Sequence, residues 1–214
     1  TGKPLWEAVA EVEGVIARVE TAIRAYAERS AQRKLDGALQ GVNAVRHKPH
    51  GIMAVISPFS SPAQVPAAQI IPALIAGNAV IFKPSEKAPA AGEFLIGCFH
   101  RAGVSANVVQ LLIGGPATGQ ELVSHEGVRG VLFTGSAHVG IAINRRLATN
   151  PGKIVSLELG GNNPIVVWDT PKILDAATLV VQSAFASAGQ RCSNARRLIV
   201  KSDLYDAVVG EVGR

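Results

Sequence analysis

Cys192 closes the stretch Ser187-Ala188-Gly189-Gln190-Arg191-Cys192, just past a helical pattern and beside an arginine. A loop thiol is open to reagents, and a nearby positive charge favours the thiolate, the form that attacks carbon. Cys192 is therefore a candidate nucleophile; a buried, inert cysteine is the competing reading. Glu158 lies in Leu157-Glu158-Leu159-Gly160-Gly161. A carboxylate between leucines at a strand end is partly desolvated and suited to general-base duty; a surface glutamate is the plainer alternative. The run Phe133-Thr134-Gly135-Ser136-Ala137-His138-Val139-Gly140 sits where a strand turns into a helix, and free backbone N–H groups there favour a phosphate. Its glycines, Gly135 and Gly140, do not match the usual GxGxxG spacing, and a tight turn alone would account for them. Lys83-Pro84-Ser85-Glu86 follows another strand, where an ammonium and a carboxylate could hold ribose hydroxyls.

The elements that must position these groups alternate. Pro4 to about Gln32 reads as a helix, with Leu5, Val9, Val12, Ile16, Val19 and Ile23 recurring at three and four. Residues 35–49 suggest a pair of short strands, and 51–57 a buried strand. Helices are predicted over 63–76, 89–102, 117–124 and 135–149, and strands over 79–83, 108–113 and 128–134. This repeated strand–helix order argues a doubly wound α/β sheet, which binds ligands beyond the carboxyl ends of its strands, just after Ser57, Phe82 and Phe133. Beyond Lys153 the pattern changes to strands over 154–159 and 165–168, a helix over 173–188 and a strand over 197–201. A domain boundary is expected near Gly160.

Composition narrows the classes. The 214 residues carry a formal charge of +5 and are 48% hydrophobic, an ordinary globular balance. The densest basic groups, Arg145–Arg146, Arg196–Arg197 and Arg46-His47-Lys48, are not interleaved with aromatics, which argues against nucleic acid as a partner. No apolar run reaches the roughly 18 residues of a membrane span, and no signal peptide is visible. Two distant cysteines, Cys98 and Cys192, fit a reducing, cytoplasmic compartment rather than a disulfide framework. No metal-ligand cluster stands out. The chain opens without Met and stops at Gly213-Arg214, which suggests part of something longer.

Taken in order, Pro58-Phe59-Ser60-Ser61-Pro62, Phe82-Lys83-Pro84-Ser85-Glu86, Phe133-Thr134-Gly135-Ser136, Glu158-Leu159-Gly160-Gly161 and Gly189-Gln190-Arg191-Cys192 resemble the aldehyde dehydrogenase superfamily over the whole chain. Within it the likeness is strongest to the semialdehyde dehydrogenases of arginine catabolism, through Thr1-Gly2-Lys3-Pro4-Leu5-Trp6-Glu7-Ala8, Arg46-His47-Lys48-Pro49-His50-Gly51 and Gly160-Gly161-Asn162-Asn163-Pro164.

The resemblance implies a Rossmann-like cofactor domain, partial here, over 1–30 and 51–159. It further implies a bridging and oligomerisation hairpin over 31–50 and the start of a second α/β catalytic domain over 160–214. It implies Cys192 as nucleophile and Glu158 as base, with a thiohemiacetal and a thioester on the way from an aldehyde, N-succinylglutamate 5-semialdehyde, to its carboxylate. Lys83, Ser85, Glu86, Gly135, Ser136, Gly140 and Gly160 would form the cofactor set. Glu86 favours NAD over NADP, because a carboxylate repels a 2′-phosphate. The resemblance also implies a homo-oligomer for the full-length protein, with a small-molecule aldehyde as substrate. Ser60 departs from the family, which has an asparagine there as oxyanion donor. Phe59 and Ser61 depart from Trp and Phe. Another semialdehyde substrate, a fold retained without catalysis, and a thioester-forming acylating enzyme are the alternatives.

Overall fold

The computed structural model describes residues 1–30, 33–36 and 42–214. Two compact units divide the chain: Ala8–Glu158, and Thr1–Glu7 together with Leu159–Arg214.

The larger unit is built on a five-stranded sheet in the order β5-β4-β3-β6-β7. Its strands are β3 (Ile52–Ile56), β4 (Ala79–Lys83), β5 (Val109–Leu111), β6 (Val128–Gly135) and β7 (Ile154–Leu159). β3 pairs in parallel with β4 and with β6, and β4 in parallel with β5. Parallel strands need crossovers, supplied by α2 (Gln64–Ile75), α3 (Pro89–Arg101) and α4 (Pro116–Ser124); α5 (Ala137–Leu147) follows β6. The strands are rich in Val, Ile and Phe because helices cover them. Met53, Val55, Val80, Phe82 and Val109 from the sheet pack with Ile70, Leu95 and Ile96 from α2 and α3. The chain runs outward from β3 to β5, then returns to β6 on the other side of β3. That reversal opens a crevice at the carboxyl ends of β3 and β6, where such sheets bind ligands.

Polar side chains lock the joints. Asn78, buried after α2, accepts from the His50 and Gly51 N–H groups at 2.7 and 3.1 Å and donates to the Ala73 carbonyl. Lys153 donates to the Val123 and His125 carbonyls at 3.1 and 2.7 Å, satisfying the exposed end of α4.

α1 (Leu5–Ser30) is helical as its spacing predicts, but the face it buries is the opposite one. Leu5, Val9, Val12, Ile16, Val19 and Ile23 are all exposed, Ile16 by 68%. The inward face carries Glu11, Val15 and Ala22; Val15 and Ala22 pack on Ala67 and Ile71 of α2. Glu11 draws this face inward, its carboxylate accepting from the Ala63 and Gln64 N–H groups.

β1 (Arg33–Asp36) and β2 (Val42–Val45) form an antiparallel pair. The segment between them, part of the expected hairpin, lies outside the described residues.

In the smaller unit β8 (Asn163–Val167) and β9 (Ala195–Val200) pair in parallel, joined through α6 (Ile173–Phe185) and followed by α7 (Tyr205–Val212). Val167, Val180 and Val208 form its core. α6 stops short of the predicted Ala188, because Ser187 and Ala188 both take left-handed backbone at φ 55.

Candidate active site

The crevice predicted from the strand order is a cleft of about 790 Å³ in the larger unit. One wall comes from the end of β3, Ile56 to Phe59, and the opposite wall from the end of β6, Phe133 to Ser136. Lys83, Ser85 and Glu86 line it after β4. Of the residues assigned to the cofactor from sequence, Lys83, Ser85, Glu86, Gly135 and Ser136 thus share one cavity. Gly140 is buried in α5 and does not face it. Gly160 is exposed and belongs to the smaller unit.

Each wall offers different chemistry. Ser136 caps α5, its Oγ accepting from the Val139 N–H at 3.4 Å. The remaining N–H groups of that first turn have no helical partner and carry the positive end of the dipole, a setting for phosphate oxygens. Lys83 is buried and its Nζ donates to the Pro84 carbonyl at 2.8 Å. Burial pushes its ammonium below the ordinary lysine value, and the Glu86 carboxylate works against that fall. Glu86 itself is exposed at the rim, and Ser85 Oγ accepts from the Lys87 N–H. Ser57 Oγ, in the β3 wall, is buried without a hydrogen-bond partner among the described residues. An orphaned hydroxyl, a helix N-terminus and a carboxylate in one elongated cleft fit the polar groups of a dinucleotide.

Arg146, Lys87, His138 and Gln120 also line the cleft and were not singled out from sequence. Arg146 stands on α5 and its Nε donates to Ser124 Oγ, a contact between two helices that no local spacing announces. The charges of Arg146 and Lys87 make the cleft more cationic than Lys83 alone would.

Ser60 follows Phe59 in the bend between β3 and α2 and is half-buried. The bend is held from α1. Glu11 Oε1 accepts from Ser61 Oγ at 3.1 Å and from the Ala63 and Gln64 N–H groups at 2.9 and 3.1 Å. Glu11 thereby caps α2, whose own N-terminal residue gives no side-chain cap.

Glu158 lies on β7, the last strand in the sheet order, and is exposed. The desolvation expected of it is not met: an edge strand followed by two glycines has little to cover the carboxylate.

In the smaller unit Cys192 is a free, exposed thiol. Its loop is tied down on both sides. Asn163 Nδ2 donates to the carbonyls of Cys192 and Asn194 at 2.6 and 3.1 Å. Buried Asn194 donates to the Ala184 and Ala186 carbonyls and accepts from the Arg191 N–H at 2.7 Å. Ser187 and Ala188 hold a backbone region that costs a non-glycine residue roughly 1–2 kcal/mol each, and these bonds offset that cost. Arg191 is not a free positive neighbour for the thiol. Its guanidinium lies 3.7 Å from Glu7 and donates to Ser187 Oγ.

The chain is similar to known proteins along its whole length. An N-succinylglutamate 5-semialdehyde dehydrogenase of Novosphingobium aromaticivorans is 69% identical over 214 residues, all of this chain and 45% of that protein. A γ-glutamyl-γ-aminobutyraldehyde dehydrogenase of Burkholderia cenocepacia superposes with a TM-score of 0.91 at 31% identity, over 99% of this chain and 43% of that one. An NADP-dependent enzyme of E. coli does so at 0.85 and 34%, over 100% of this chain and 44% of that one. The chain thus spans less than half the length of these relatives. The sequence pattern of one family matches residues 1–214 without interruption, and the chain belongs to the aldehyde dehydrogenase family.

Proposed function

We propose that this chain carries the cofactor cleft and the nucleophile of an NAD-dependent aldehyde dehydrogenase that oxidises N-succinylglutamate 5-semialdehyde to its carboxylate in arginine catabolism. The observation that carries the reading is the cleft at the strand-order reversal, where Lys83, Ser85, Glu86, Gly135 and Ser136 converge. The substrate is taken from the name of the Novosphingobium relative. Two unpaired, exposed cysteines suit a reducing cytoplasm, and the whole protein is read as a homo-oligomer acting on a small molecule.

In this reading Cys192 Sγ forms a bond to the aldehyde carbon, and the carbonyl oxygen takes up the negative charge. Ser60 Oγ stands in for the family's asparagine as donor to that oxygen. The dinucleotide, when bound, supplies the acceptor for the aldehyde hydrogen as hydride. Loss of that hydride leaves a thioester on Cys192. Glu158 takes a proton from water, whose oxygen bonds to the thioester carbon; the C–S bond breaks, freeing the Cys192 thiolate and a carboxylic acid, which loses its proton to solvent to give the carboxylate. The first turn of α5 would hold the pyrophosphate, with Lys83 and Glu86 on the adenosine ribose.

The test is NADH formation by this chain with NAD and N-succinylglutamate 5-semialdehyde, with simpler aldehydes beside it and Cys192→Ser as control. Turnover that disappears in the control supports the reading. Turnover that survives it removes Cys192 as nucleophile. No turnover with any aldehyde removes the claim that this chain is an enzyme by itself and favours a second reading, a fold kept without catalysis, for which Ser60 is the supporting observation.

A further inference from the structure

The cysteine loop is fastened by a carboxylate to which the chemistry above gives no task. Glu7 Oε1 accepts from the Ser187 N–H at 2.8 Å, at the first of three successive left-handed residues, Ser187, Ala188 and Gly189. The same oxygen is 3.7 Å from the Arg191 guanidinium. Arg191 Nε donates to Ser187 Oγ at 3.3 Å, closing a triangle of three side chains around one peptide.

Burial makes the arrangement one-sided. The Glu7 side chain is 1% exposed, whereas that of Arg191 is 53% exposed. Glu7 Oε2 is buried with no hydrogen-bond partner among the described residues. A buried carboxylate with half its acceptor capacity unmet depends on its cationic partner, while the half-exposed guanidinium could be solvated elsewhere. Glu7 therefore needs Arg191 more than Arg191 needs Glu7. The pair keeps the guanidinium turned to Glu7 although it is carried by the residue before Cys192.

We propose that Glu7 is a positioning residue for Cys192. It pins the left-handed turn ahead of the cysteine and masks the Arg191 charge, so that the reactivity of the thiol is set from the first turn of α1. The inference rests on reading Cys192 as the nucleophile, and its readout is the thiol itself rather than turnover.

The experiment follows alkylation of Cys192 by iodoacetamide in a Cys98→Ser chain, where it is the single thiol. Glu7→Gln retains an oxygen for the Ser187 N–H and removes the charge. At neutral pH and low salt it raises the alkylation rate about threefold, the order of effect of one unit charge near a thiol in a watery medium. The rise shrinks in ~1 M NaCl. With Arg191→Met also present, Glu7→Gln gives a smaller rise, because only the carboxylate is lost and no guanidinium is freed. An unchanged rate, or the same rise in both backgrounds, overturns the proposal. Should Glu7→Gln fail to fold, Arg191→Met alone decides. It leaves the buried Glu7 carboxylate without its cation and slows alkylation by an amount that ~1 M NaCl barely reduces; an unchanged rate, or a slowing that salt abolishes as loss of a free surface charge would give, overturns the proposal. Aldehyde oxidation that survives Cys192→Ser would remove the nucleophile reading and leave the alkylation result on Glu7 standing.

Discussion

Glu11 and Ala63 are joined across two helices: the Ala63 N–H donates to the buried Glu11 carboxylate at 2.9 Å, and the next N–H along α2 donates to the same oxygen. A residue of one helix thus does for the next what a local Ser or Asp does elsewhere. Glu11→Ala leaves these part-buried N–H groups without their acceptor and costs about 1–2 kcal/mol, the range for a lost cap. Urea denaturation of the two chains measures it. A difference below about 0.5 kcal/mol, the level of an ordinary surface change, would show that the contact does not hold the bend.

Ser60 sits in that same bend. In the proposed mechanism its hydroxyl does the work of a longer side-chain amide, the donor that the family resemblance implies at this position. Ser60→Asn is expected to raise the rate of NADH formation about tenfold or more, since one oxyanion donor is worth roughly 10²–10³ in other enzymes. An unchanged or lower rate in steady-state assays would show that Ser60 already fills the role or that the bend cannot seat the longer side chain.

In the proposed function, cofactor choice turns on Glu86. The carboxylate stands on the cleft rim with Lys87 and Arg146 in the same lining. Glu86→Gln removes the single negative side chain of that lining and leaves the cations. The ratio of kcat/KM for NADP to that for NAD should rise about tenfold, a charge effect of the order expected near a surface. A ratio that does not move would place recognition of the 2′ position elsewhere.

Lys83 makes stability depend on pH in the alkaline range. Burial lowers its folded-state value below the ordinary 10.5, chiefly by desolvation. Between the lowered value and 10.5 the unfolded chain therefore binds more protons at this site than the folded chain does. Its contribution to stability rises with pH through that window and levels off above it. Lys83→Met flattens this part of the curve. Urea midpoints taken at successive alkaline pH values show the difference, and parallel curves for the two chains would contradict it.

Most elements could be read from the sequence because they carry their own punctuation. β4 runs from Ala79 to Lys83 as predicted, between Gly77-Asn78 and Pro84. α3 begins at Pro89 and ends before Gly103. The cleft residues followed from the strand ends, since ligand sites of such sheets are fixed by topology. What was not legible depends on partners far along the chain. The buried face of α1 is the one carrying Glu7 and Glu11, whose carboxylates accept from backbone N–H groups of other elements. The exposure of Glu158 depends on β7 lying at the sheet edge. Arg191 looked like a cation beside a thiol, and only the fold shows it turned to Glu7.

The order β5-β4-β3-β6-β7 has a kinetic meaning as well. β3, β4 and β5 follow one another with one crossover helix each, whereas β6 reaches β3 only after two strands and three helices have intervened. The loop that must close for this pairing is the longest in the sheet, and late, non-local pairing slows folding. The two walls of the cleft meet along that seam. On refolding, far-UV ellipticity should therefore recover before dinucleotide binding does, and a dinucleotide spanning the seam would slow its reopening, tying together the most distant partners in the sheet.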